Sequence, residues 1–290
     1  MKYEFTGQTK VEFGVTYRQI RALVAIAAMG VAAGDTGGWI EREENLAQVS
    51  GNAWVSGDAR VYGDARVYGD AQVSGNARVY GDAQVSGNAW VSGDARVSGN
   101  AWVSGDARVY GDARVYGDAQ VHGNARVYGD AQVSGNAQVH GNAQVYGDAQ
   151  VYGNARVSGN AWVSGNAQVH GNAQVYGNAQ VHGDARVSGD AWVYGDARVY
   201  GNAWVYGNAW VSGDARVSEV VICATRTDGY TFIVVRTEKD GMRVIAGCRY
   251  FTFAEARSHW QQTRGDSKLG QESQAIVSHL EIMAQLQGWV

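Results

Sequence analysis

Four arginines, Arg60, Arg78, Arg96 and Arg114, recur every eighteen residues, with Tyr62, Tyr80, Ser98 and Tyr116 two positions after each. Stacked guanidinium groups flanked by phenol rings form a surface for an acidic polymer, phosphates or bases, through charge and cation–π contact. Asp58, Asp94 and Asp112 stand two residues before three of these arginines, and eight of the eleven arginines of this region follow an Asp. The competing expectation is that the carboxylates simply balance the guanidiniums along a wall. A second group follows: Trp192, Tyr194, Tyr200, Trp204, Tyr206 and Trp210, with Trp192 and Trp210 again eighteen apart. Exposed aromatic patches of this size are covered or used. The expected cover is the C-terminal part of the chain or a second subunit; the alternative is a ligand platform. His122 and His140 are also eighteen apart, with His170 and His182 further on. They occupy slots otherwise held by Ser or Tyr, and no further ligands recur at comparable spacing, so they read as solvated positions rather than a metal site. No residue set reads as catalytic, and no cofactor motif is present.

The spacing has one cause. Valine recurs at every sixth residue from Val49 to Val217, alanine from Ala47 to Ala215 and glycine from Gly51 to Gly213, giving the unit Ala-x-Val-x-Gly-Asp/Asn. A fixed short period is the sign of a solenoid in which each unit contacts mainly its neighbours. Within Ala-x-Val-x, apolar and polar residues alternate as in a half-buried strand. Gly-Asp/Asn supplies a corner, because these residues tolerate left-handed backbone angles. Three such sides close an eighteen-residue triangular coil, with Val inside and small Ala beside each corner. The arginines, tyrosines and tryptophans then become columns on its outer walls.

This unit, over 47–218, resembles the hexapeptide repeat of left-handed parallel β-helix proteins, best known from bacterial acyltransferases. The resemblance implies a left-handed triangular parallel β-helix of about 9–10 coils, at roughly 4.8 Å per stacked strand. Left-handedness comes from the resemblance alone, since generic parallel crossovers are right-handed. The opening GD-x-GGWIE-x-E-x-NL at 34–46 resembles segments that precede such arrays in phage and prophage proteins. Gly247-Cys-Arg-Tyr-Phe-Thr-Phe-Ala-Glu-Ala resembles the tails of the same proteins.

Three segments are expected: an N-terminal cap at 1–46, the repeat at 47–218, and a small α+β domain at 219–290. In the cap, 1–5 and 11–17 read as short strands, and 18–28 as a helix or irregular strand. The apolar run 22–33, preceded by Arg18 and Arg21, has the look of a signal core. Against that, Glu4 and Glu12 burden the region before it, and the run is far too short to span a bilayer. Val31 lies one coil-length before Val49, so the run is expected to form the first, irregular turn of the solenoid. In the last segment, β-rich runs at 220–225, 230–237 and 242–251 are joined at Asp228-Gly229 and Asp240-Gly241. Thr252 and Glu255 form a capping box for a helix to about Gln262; a second helix spans about 271–287 and stops at Gly288.

Forty glycines and no proline suit a corner-rich solenoid. A net charge of −4 argues against a general nucleic-acid binder. Cys223 and Cys248 lie outside the repeat and read as thiols of a cytoplasmic protein, in the host cell if phage-encoded. The main functional expectation is a non-catalytic, phage-derived scaffold that binds a protein partner or self-associates as a dimer or trimer. Its binding residues would be Arg60, Arg78, Arg96, Arg114, Tyr62, Tyr80, Tyr116, Trp192, Trp204 and Trp210. One alternative is an acetyl-CoA-dependent acyltransferase, disfavoured because no loop interrupts the repeat to build its site. The other is a self-assembling structural protein.

Overall fold

The computed structural model describes all residues except 13, 214, 219–221, 238–240, 248 and 289–290. The first two residues of the run 220–225, together with Asp240 and Cys248, therefore lie outside the described residues. The chain forms two compact units, Met1–Gly159 and Asn160–Val290. Both are built on a three-sided parallel β-helix.

In the first unit each repeat contributes a two-residue strand, such as Arg96–Val97, paired in parallel with the strands eighteen residues before and after. Backbone ladders run beyond the strands: the amides of Asp94, Arg96 and Ser98 donate to Gly111, Ala113 and Val115, each at 2.9 Å. Ala95, Val97, Ala113 and Val115 are fully buried. Burying each valine stabilises by about 1.5–3 kcal/mol, so the interior is held by many small, equal contributions. The corners need glycine. At Gly99 φ is +65°, and an added Cβ would stand 2.9 Å from the Gly117 nitrogen of the next coil.

The N-terminal end departs from expectation. Strands β1 (Tyr3–Glu12) and β2 (Val15–Ala22) form one long antiparallel hairpin with a bulge between Phe5 and Thr9, so of the two readings of 18–28, helix or irregular strand, the strand is the one found, over 18–22. β2 pairs antiparallel with β3 (Thr36–Ile40), and β3 pairs in parallel with Arg60–Val61. The first solenoid strand is therefore the Gly-Gly-Trp-Ile segment. Val31 does not join the solenoid; it bridges back to Ile26 across a 3-10 turn, Ala27–Met29. Gly37 and Gly38 allow the close approach: a Cβ at 37 would lie 2.6 Å from Ile20, and one at 38 would lie 2.7 Å from Val55.

The expected start of the repeat is also displaced. Leu46, not Val49, fills the inward slot and bridges in parallel to Val67, while Val49 is 96% exposed. Nine residues separate Leu46 from the next inward valine, Val55, where six separate Ile40 from Leu46. The additional residues loop outward. Side chains from the cap hold them there: Tyr3 Oη donates to the Leu46 carbonyl at 3.1 Å, and Asn45 donates to the Gly63 and Ala65 carbonyls at 3.0 and 2.9 Å. Gln48 accepts from the Lys2 amide at 2.9 Å and donates to the Tyr3 carbonyl at 3.0 Å.

The second unit has the same kind of coil up to Arg216–Val217 and then changes character. Strands β4 (Ile222–Thr225), β5 (Thr231–Thr237), β6 (Gly241–Ala246) and β7 (Arg249–Phe251) form an antiparallel sheet in sequence order. The expected third run is split at Gly247 into β6 and β7, which pair through Ala246 and Arg249. Helix α1 (Phe253–Arg264) opens on the expected Thr252–Glu255 capping box. Helix α2 (Lys268–Leu286) begins earlier than expected because Ser267 caps it, accepting from the Gly270 amide. Phe232, Val234, Val244, Trp260, Val277 and Leu280 form the core between sheet and helices. β5 lies against the last repeat strand, Arg216–Val217.

Candidate functional site: two outer walls

The arginine column exists, but its first member is spent on the cap. Arg60, Arg78, Arg96 and Arg114 are register partners in adjacent coils, followed by Gln132. Arg60 forms an ion pair with Glu12 at 2.9 Å, its side chain is 15% exposed, and it lies over the Tyr17 ring at 5.9 Å. Beside it, Lys10 sits 4.2 Å over Trp39, and burial, then Arg60, lowers its pKa. Arg96 and Arg114 are exposed and Arg78 is half-buried.

The expected carboxylate partners do not pair with these arginines. Among the described residues, no ion pair joins Asp58, Asp94 or Asp112 to the arginine two positions on. Corner side chains instead run along the column. The Asn88 amide donates to Asp106 at 2.8 Å, Asn100 to Asp118 at 2.7 Å, and Asn172 to Asp190 at 2.9 Å. A column residue eighteen positions away is nearer than a wall residue two positions along. The sequence signal was an Asn standing eighteen residues before an Asp or another Asn, which a search at an interval of two misses.

The tyrosines beside the arginines form a short stack. Tyr62 and Tyr80 lie 5.0 Å apart and 7° from parallel, and Tyr17 of the cap meets Tyr62 edge-on at 5.4 Å. Burial, then Tyr62, raises the Tyr17 phenol to about 12. Ser98 interrupts the column, and Tyr116 beyond it is exposed, donating to Gln132 at 3.3 Å. His122 and His140 stack at 5.0 Å, 2° from parallel. His140 is held below its ordinary pKa by burial first, then by His122 and Arg156. Among the described residues, no three His, Cys, Asp or Glu side chains are grouped to hold a metal ion.

The tryptophan wall lies in the second unit. Trp192 and Trp210 stack at 5.1 Å, 7° from parallel, and Tyr176 meets Trp192 edge-on at 6.2 Å. Trp204 is on a different wall, packed on Tyr206 at 5.3 Å and 44% exposed, so it does not join the pair. The C-terminal domain borders this wall without sealing it: Trp210 remains 39% exposed. A cavity of about 350 Å³ lies between Asp190, Trp192, Asn208 and Trp210 on one side and the Gly229–Tyr230–Thr231 turn on the other. Tyr230 is fixed by donating to the Ala246 carbonyl at 2.8 Å. Behind it, buried Arg226 is held bidentately by Asp228 at 2.9 and 2.7 Å and by Ser273 at 2.8 Å. Arg226 pulls the Asp228 carboxyl down to about 2. Sequence reasoning missed Asp190, Tyr230 and Arg226, because the long-range contacts that group them leave no local pattern.

Comparison with known families places the chain among β-solenoids. Residues 97–225, less than half of the chain, match the family model of bactofilin, described as polymer-forming cytoskeletal. Residues 47–60, 59–72 and 71–87 match the model of the YdcK β-solenoid repeat. The search of curated proteins gave no match. These matches carry neither the phage nor the acyltransferase likeness expected from the motifs. What the chain resembles is a solenoid repeat and, over residues 97–225, a polymer-forming one.

Proposed function

We propose that this protein is a self-assembling structural scaffold, its β-helix serving as the stiff body of a polymer. The observation that carries this reading is the likeness of residues 97–225 to a polymer-forming cytoskeletal family. The fold supports it. Coils with the same inward residues and continuous backbone ladders resist bending locally, as a polymer subunit must. The self-assembling alternative thus takes precedence over the phage-derived partner-binding scaffold.

A contact surface is available on α2, where Ala275, His279, Ile282 and Leu286 share one exposed face. Ile282 is 55% and Leu286 75% exposed. Spacings of four, three and four residues put them on one helical stripe suited to a second copy. The column Arg78–Arg96–Arg114, which makes no ion pair among the described residues, supports a secondary role in holding an acidic partner along the same scaffold.

Negative-stain electron microscopy of the purified full chain tests the reading. Ordered polymers are expected, and Ile282→Glu with Leu286→Glu should shorten or abolish them while the circular dichroism stays unchanged. Isolated single particles under all conditions of salt and concentration would overturn it.

A further inference from the structure

We propose that the cavity beside Trp192 and Trp210 binds a small organic cation, an alkylammonium or quaternary ammonium group. The proposal is independent of self-assembly. It starts from a break in the repeat. In the wall that carries Trp192 and Trp210, the strand Trp210–Val211 is the last. Trp192 therefore covers one indole face of Trp210, and among the described residues no further repeat strand covers the other. The C-terminal domain approaches there through Gly229 and Gly247, which present no side chain, and the result is a hollow of about 350 Å³. That volume lies within the range of small-molecule sites.

The lining decides the ligand's charge. Two indoles and the Tyr230 phenol offer electron-rich π-systems, and Asp190 adds a carboxylate; among the described residues, no Lys, Arg or His lines the cavity. Aromatic faces with an acidic neighbour attract a cation and give a neutral or anionic ligand no comparable gain. Arg226, over the Tyr230 ring at 5.0 Å, does not oppose this, because Asp228 chelates its guanidinium. The site is also built in advance. Asn172 donates to Asp190 at 2.9 Å, and Tyr230 is pinned between the Ala246 carbonyl and Gly247, where a Cβ would come within 2.6 Å of its hydroxyl.

Tryptophan fluorescence of the full chain, titrated with choline and with its neutral isostere 3,3-dimethylbutan-1-ol, tests the proposal. Choline should give a saturable change, and the alcohol should bind about tenfold more weakly or not at all. Asp190→Asn should weaken choline binding several-fold, and Trp210→Gln should abolish it. Both replacements use residues that the repeat already carries in those slots, Asn208 and Gln174 among them, so the coil is preserved. Equal binding of alcohol and choline, a response to cellobiose in place of choline, an unchanged Asp190→Asn, or no saturable response would each overturn it.

Discussion

Residues 47–52 and 71–76 are the same six letters, Ala-Gln-Val-Ser-Gly-Asn, yet the first valine is 96% exposed and the second fully buried. Val73 sits in an ordinary coil, paired in parallel with Val55 and Val91. Val49 sits in the closing coil, where Leu46 has taken the inward slot and the cap has claimed Gln48. The difference teaches that the hexapeptide carries a shape but not a register. Register is set by what lies above and below, and at the end of a solenoid that is the cap.

The sharpest way to break this comparison is to place the same charge at both valines. Val73→Asp buries an unpaired carboxylate among valines and should destabilise by about 3–5 kcal/mol, whereas Val49→Asp should stay within about 0.5 kcal/mol of the parent. Urea unfolding monitored by circular dichroism measures both. Similar losses at the two positions would show that Val49 is inward after all.

Glycine substitutions sharpen the comparison at smaller cost. Gly38→Ala drives a methyl toward Val55 and the Ala59 carbonyl, which a Cβ would meet at 2.7 and 2.9 Å, and should cost about 1–3 kcal/mol by overpacking. Gly99→Ala combines positive φ with the backbone of the next coil and should cost about 1–2 kcal/mol. Gly213→Ala shares the positive φ (+62°) but meets nothing within 4 Å, so about 1 kcal/mol is expected. Thermal melts of the three variants should fall in that order.

Strict stacking has one further consequence that the closing coil escapes: like residues meet face to face. His140 is held below its ordinary value by burial, by stacked His122 and by Arg156. The unfolded chain takes up the proton at about pH 6.5, while the folded chain takes it up lower. Stability is therefore full above that pH and declines as the pH falls toward the folded value. His122→Ser, using a residue common in that slot, should raise the titration of His140 in imidazole NMR and flatten the decline in melting temperature below about pH 6.5. An unchanged slope would show that the stack does not matter.

Alternation of Ala and Val with polar residues made the inward positions from Ala53 to Val217 legible, because burial in a thin wall leaves a period of two. The capping box at Thr252 and Glu255 was legible for the same reason, its partners being three residues apart. Three features were hidden. The loop-out at Val49 was masked by a hexapeptide identical to working ones. The engagement of Arg60 by Glu12 depends on the tip of a hairpin meeting a strand 48 residues further along the chain. The cavity at Trp210 depends on where a separate sheet comes to rest against the last coil. Local periodicity encodes the wall, and long-range closure encodes everything that distinguishes one part of a wall from another.

Sedimentation velocity of the full chain, from low to high micromolar protein, tests the central claim that this wall is a polymer subunit. Sedimentation coefficients should climb with concentration and fall back toward the monomer in the Ile282→Glu, Leu286→Glu variant. A single, concentration-independent monomer in the parent protein would contradict it.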